Sequence, residues 1–126
     1  MPWFEKAVQA APYEPSMVAN LGLVRWMQRR LDESYELLQR ADSMGYSTPG
    51  GNFLLGVMSL RKSNPKLAMN YLKKVPVEKY PYRDLYLSLA QREAGKAKAA
   101  EESFRTFMKH HTVEYAASAF QPNPTE

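Results

Sequence analysis

His110 and His111 are the only histidines in the chain, and a pair of imidazoles is a common start for a zinc site or a general base. Their adjacency argues against both uses. Neighbouring side chains on a helix diverge by about 100°, so the two rings cannot turn to one ion. A helix C-terminus also favours cationic side chains for its own sake. Gly45-x-x-x-x-Gly50-Gly51 copies half of a phosphate-cradling loop, but the Lys-Ser/Thr that should follow is absent and no strand precedes it. The carboxylate pairs Glu33/Glu36 and Glu101/Glu102 have the chemistry for acid–base work, yet both sit among lysines and arginines on faces expected to be solvated. The absence of cysteine removes disulfides, thiolate metal ligands and thiol nucleophiles together, while leaving the compartment undecided between cytoplasm and periplasm. No nucleophile, base and orienting group form a set. The chain reads as a non-enzyme with no catalytic, metal or cofactor-binding residues.

The elements that would position such groups are all helical. At 126 residues with 44% apolar content, the chain fits one folded domain. No run of about 18 apolar residues occurs, so no transmembrane segment is expected, and no secretion signal is visible at the N-terminus. The formal charge of +4 is spread along the sequence and interrupted by acids. A nucleic-acid binder should gather its charge on one face, so nucleic acid is not the expected partner.

Helical periodicity predicts seven segments. The first covers Pro2 to Ala11. The second starts at Pro15 and runs toward Met27, the third covers Asp32 to Ala41 with Gly45 as its stop, and the fourth covers Asn52 to Arg61. Ser63-Asn64-Pro65 places a capping side chain before a first-turn proline and opens the fifth, which Pro76 ends. The sixth opens at Pro81 and ends at Gly95, and the seventh runs from Lys96 to His110. Val113 to Phe120 is apolar enough to form one more short helix. No strand-like alternation appears, so the chain is expected to be all-α.

The segments share a grammar. Asn20-Leu21-Gly22 and Leu54-Leu55-Gly56 place matching glycines 34 residues apart. Leading helices give Val18-x-x-Leu21-Gly22, Asn52-x-x-Leu55-Gly56 and Asp84-x-x-Leu87-Ser88. Trailing helices give Ser34-x-x-x-Leu38-x-x-Ala41, Ala68-x-x-x-Leu72-x-x-Val75 and Ala100-x-x-x-Phe104-x-x-Phe107. The small residue of the leading helix lets its partner approach, and the large residue one turn along the trailing helix fills the gap.

From Phe4 to about His110 this pattern resembles the tetratricopeptide repeat, with its W-x₂-L-G-x₂-Y, A-x₃-F and closing proline. Val18, Asn52 and Asp84 stand where that family has its leading aromatic. Arg29 and Ser63 replace the inter-helix glycine that survives as Gly95. The resemblance implies a short right-handed α-solenoid of antiparallel pairs over 13–111. It further implies a trailing half-repeat of a longer array at 1–12, a capping helix at 112–121 and an unfolded tail at 122–126. On this basis the chain is expected to be a piece of a longer protein, one that could carry a membrane anchor.

The resemblance also implies a concave groove lined by leading helices. Counting faces places Ala19, Asn20, Leu23, Trp26 and Met27 there from the first pair. Phe53, Leu54, Val57, Leu60 and Arg61 follow from the second, and Tyr82, Leu85, Tyr86, Leu89 and Arg92 from the third. The strip is apolar and aromatic, the character of a partner site. A clamp for a C-terminal carboxylate would have only Asn20, Arg61 and Arg92 to work with. An amphipathic helix or an extended apolar segment of another protein suits the strip better. The family commonly serves as scaffolds, secretion-system chaperones and envelope assembly factors. The alternative is a self-associating element that builds homo-oligomers.

Overall fold

The computed structural model describes residues 14–120, with side chains over 14–110. The expectations for 1–12 and 122–126 lie outside the described residues. Among those described, the fold is all-α: six helices and no strand.

Helix α1 spans Pro15–Met27, α2 Leu31–Ser43, α3 Pro49–Arg61, α4 Pro65–Lys73, α5 Arg83–Glu93 and α6 Ala97–Phe120. Pro15, Pro49 and Pro65 each occupy a first helical position, where the missing N–H would have no partner anyway. Asn64 caps α4 as expected, its Oδ1 accepting from the Leu67 amide at 3.3 Å. A cap that the sequence reading missed opens α3: Thr48 Oγ1 accepts from the Gly51 amide at 3.0 Å. With Pro49 it draws Gly50 and Gly51 into the first turn, against a glycine penalty of about 1 kcal/mol each. The helix therefore begins before Asn52, and the Gly51 amide of the apparent phosphate loop is already engaged.

Helix α5 begins at Arg83, after a turn in which the Arg83 amide donates to the Tyr80 carbonyl at 2.9 Å. Helix α6 does not stop at His110. It continues to Phe120, so 113–120 extends that helix and forms no separate one.

The turns closing α1, α2, α3 and α5 share one conformation. Arg29, Gly45, Ser63 and Gly95 take left-handed φ values of 62°, 86°, 59° and 81°. In each, the next amide reaches back five residues: Arg30 to Arg25 at 2.8 Å, Tyr46 to Ala41 at 3.0 Å, Asn64 to Ser59 at 2.9 Å and Lys96 to Gln91 at 2.8 Å. This is the Schellman closure, which glycine enters without steric cost. Arg29 and Ser63 adopt it against their own preference, about 1–2 kcal/mol for an L-residue. Replacing Ser63 by glycine should therefore stabilise the fold by up to about 1 kcal/mol, after the extra freedom glycine gains in the unfolded chain. A thermal melt showing a rise of a few degrees would carry this, and a fall would mean that the Ser63 turn is unstrained.

Packing is closest within the pairs α1–α2, α3–α4 and α5–α6; among the junctions between pairs, α4–α5 is broad and α2–α3 is slight. Gly22 lies beneath Leu38 and Gly56 beneath Leu72, the same contact 34 residues on. Ser34, fully buried, donates its hydroxyl to the Gly22 carbonyl at 2.7 Å, and Ala68 and Ala100 are buried at the corresponding positions. The third pair departs from the pattern. Ser88 stands where the others have glycine, and Phe104, expected to fill the gap, is left 39% exposed. A ring cannot seat over a serine Cβ as leucine seats over bare backbone.

One core cluster gathers Val18, Leu21, Leu38, Ala41, Leu55 and Met58. The other gathers Ala68, Met69, Leu72, Leu87 and Ala90. Each fully buried Leu or Val contributes roughly 1.5–3 kcal/mol. Tyr71 bridges toward α2, its hydroxyl donating to Asp42 at 3.4 Å. Burial, then the Asp42 carboxylate, holds the Tyr71 phenol above the usual tyrosine range.

Candidate interaction site

Helices α1, α3 and α5 each divide into two faces. The inward faces hold Val18, Leu21 and Arg25, then Leu55 and Ser59, then Leu87, Ser88 and Gln91, all buried. The polar groups among them are satisfied. Arg25 Nε meets Glu33 at 3.0 Å and its NH1 donates to Gln28 at 2.8 Å. Ser59 shares a hydrogen bond with the Tyr35 hydroxyl at 3.2 Å, and Ser103 donates to Gln91 at 2.7 Å.

The residues placed in the groove lie elsewhere. Asn20, Leu23, Trp26 and Met27 of α1 are partly or fully accessible; so are Phe53, Leu54, Val57 and Arg61 of α3, and Tyr82, Tyr86, Leu89 and Arg92 at α5. Met27 is 73% exposed, Tyr82 49% and Leu89 42%. Ala19, counted with them, is a correction: it is buried in the first core cluster, on the α1 face turned inward. Leu23, Trp26 and Leu54 rest against that cluster, while Phe53 and Tyr86 rest against the second. These side chains have one side in the core and one in solvent.

Two places on this surface have local structure. The first is an open hollow of about 550 Å³ where α1 and α3 end, lined by Trp26, Met27, Arg29, Leu31 and Arg61. It adjoins a second hollow of about 300 Å³ that shares Leu31 and Arg61 and adds Met58, Asp32 and Lys62. Lys62 spans from α3 to Asp32 of α2 at 2.9 Å and lies 5.1 Å over the Tyr35 ring.

The second is an aromatic platform. Phe53 stacks on Tyr80 with ring centroids 5.1 Å apart and meets Tyr86 edge-on at 5.6 Å. Gly50 makes room for it, since a Cβ there would lie 3.1 Å from the Tyr80 hydroxyl. Tyr82 is turned the other way, its ring 5.7 Å from that of Phe107 on α6.

The structure thus brings Trp26, Met27 and Arg61 together at the hollow and Phe53 with Tyr86 at the platform. Arg29 and Leu31 were missed because they lie beyond the helix being counted, and Tyr80 because it lies in the loop before α5. The Pro81 next to Tyr80 marks a turn but says nothing of where the ring goes.

Two of the carboxylates first considered for chemistry are engaged in ion pairs. Glu33 pairs with Arg25 and with Arg30 at 3.2 Å, and Glu101 pairs with Arg105 at 2.7 Å. Among the described residues no three His, Cys, Asp or Glu side chains converge as a metal site. No helix there is long and apolar enough to cross a membrane. No known family model matches the chain, and no curated protein matches it.

Proposed function

We propose that this chain is a non-catalytic protein-interaction module, a short solenoid of helix pairs of tetratricopeptide type. It holds a segment of another protein along the apolar and aromatic face of α1, α3 and α5. The observation that carries this reading is the division of those helices: each has a buried face for its own pair and a second apolar face that stays partly accessible, with Met27 and Leu89 exposed at its two ends. Accessible apolar side chains in a row, with aromatics anchored from behind, have the character of a partner site. The recurrence of the Gly22–Leu38 contact as Gly56–Leu72 supports the repeat.

Selection of about 16-residue random peptides on the immobilised domain tests the reading, because an extended or helical segment of that length spans the face. Met27→Glu and Leu89→Glu, both at exposed positions, should each weaken the selected peptides tenfold or more. Melting temperatures should stay within about 2 °C, as surface substitutions usually do. Peptides that ignore both changes would place the site elsewhere.

A second reading is favoured by Phe104 and Met108, exposed one turn apart on α6. That stripe suits self-association of the third pair. Light scattering across a tenfold range of concentration separates the two: a constant monomer mass leaves the first, and a growing mass favours the second.

A further inference from the structure

We infer that the segment bound on this face is acidic, with carboxylates flanking an aliphatic or aromatic anchor seated in the hollow between α1 and α3. This rests on the interaction reading above and names the chemistry of its partner. The hollow offers Trp26, Met27 and Leu31 for an apolar side chain, and Arg29 and Arg61 at its margin. Neither arginine has an ion-pair partner among the described residues, and nor does Arg92, farther along the same face.

The neighbouring acids are already committed. Asp32 is held by Lys62, and Glu33 by Arg25 and Arg30. The hollow therefore presents uncompensated positive charge beside apolar surface. Arginine suits this place because its planar fork pairs with carboxylate while its stem packs on apolar neighbours. A neutral apolar segment would bury those stems and leave the charges without partners. A basic segment would be repelled, which sets the sign of the partner as well as its hydrophobicity.

The peptides selected above supply the test. Asp and Glu should be enriched within one helical turn of the apolar anchor. Arg29→Glu combined with Arg61→Glu should weaken those peptides at least tenfold. Their Lys-for-Glu counterparts should bind the reversed domain at least tenfold more tightly than the original one, a swap that mere damage to the fold would not produce. Raising salt from about 50 to about 300 mM should weaken the original pair and have less effect on Met27→Glu. Selected peptides without acidic excess, yet sensitive to Met27→Glu, would overturn the acidic inference and leave the interaction reading standing. Failure to select any peptide sensitive to Met27→Glu would remove the inference, and failure to select any sensitive to Met27→Glu or to Leu89→Glu would remove the interaction reading with it. Displacement of the peptides by a single-stranded RNA of about 12 nucleotides would overturn the inference in favour of stacking and phosphate recognition.

Discussion

Replacing Gly56 by leucine is expected to lower the melting temperature by roughly 10 °C or more. A Cβ at position 56 would lie 2.7 Å from Leu72 Cγ and 2.8 Å from its Cδ2, with the Ala68 carbonyl oxygen at 3.5 Å behind them. Leu72 is fully buried, so its side chain has nowhere to retreat, and the carbonyl belongs to the α4 backbone. The remaining response is to push α3 away from α4, which opens the seam along both helices. Overpacking of this kind costs about 3 kcal/mol, at the upper end of the usual range. Gly22→Leu should behave alike, since a Cβ there meets Leu38 at 2.9 Å.

Leu72→Ala supplies the control. Alone it leaves a cavity and costs about 2–5 kcal/mol. Combined with Gly56→Leu it exchanges the large and small partners, and the double variant should be more stable than the sum of the singles by about 1–2 kcal/mol. Additive losses in a denaturant titration would mean that Gly56 and Leu72 do not share a seam.

Arg83→Met is expected to cost about 2–3 kcal/mol, a large effect for a residue outside the apolar core. Arg83 holds the buried Asp84 carboxylate with its Nε at 3.2 Å and NH2 at 2.8 Å, and donates NH1 to the Val75 carbonyl at 3.1 Å. Methionine matches the stem but leaves a buried charge without its cation. Because the Arg83 head is partly in solvent, the penalty falls below that of a fully enclosed pair. The double variant Arg83→Met with Asp84→Asn should recover most of the loss, since the uncompensated charge goes with it. If it recovers nothing, the clip to Val75 carries the effect. That clip ties the end of α4 to the start of α5 and so frames the loop that delivers Tyr80 to the platform. Peptide binding should weaken in the single variant beyond what its stability alone explains.

The parts of the fold that were legible in the sequence are those set by residue types with a single physical use. Pro15 and Pro65 announce helix starts, and Gly22 and Gly56 announce close approach because they recur on one spacing. Thr48 was opaque because Gly50 and Gly51 look like a loop until the cap in front of them is seen. Arg29 and Ser63 conceal left-handed turns that only packing imposes. The length of α6 was misjudged because His110, His111 and Thr112 are weak helix formers without being breakers. The candidate site was half legible. Counting along a helix finds Trp26, Met27 and Arg61, but not Arg29 or Leu31 past the helix end, nor Tyr80 across a loop.

The uneven seams between the pairs have a mechanical consequence. The α4–α5 junction is broad, whereas α2 and α3 share a narrower seam, made of Leu38, Ala41, Leu55 and Met58 in the first core cluster and of two polar contacts, Lys62 to Asp32 and Tyr35 to Ser59. Of the two junctions between pairs, α2–α3 is thus the one where bending would disturb fewer contacts. The aromatic platform lies on the α4–α5 side of that junction, and the hollow between Trp26 and Arg61 straddles it. A bound segment would rest one end on the broad junction and lay the other across the narrow one, adding to the narrow seam the contacts it lacks.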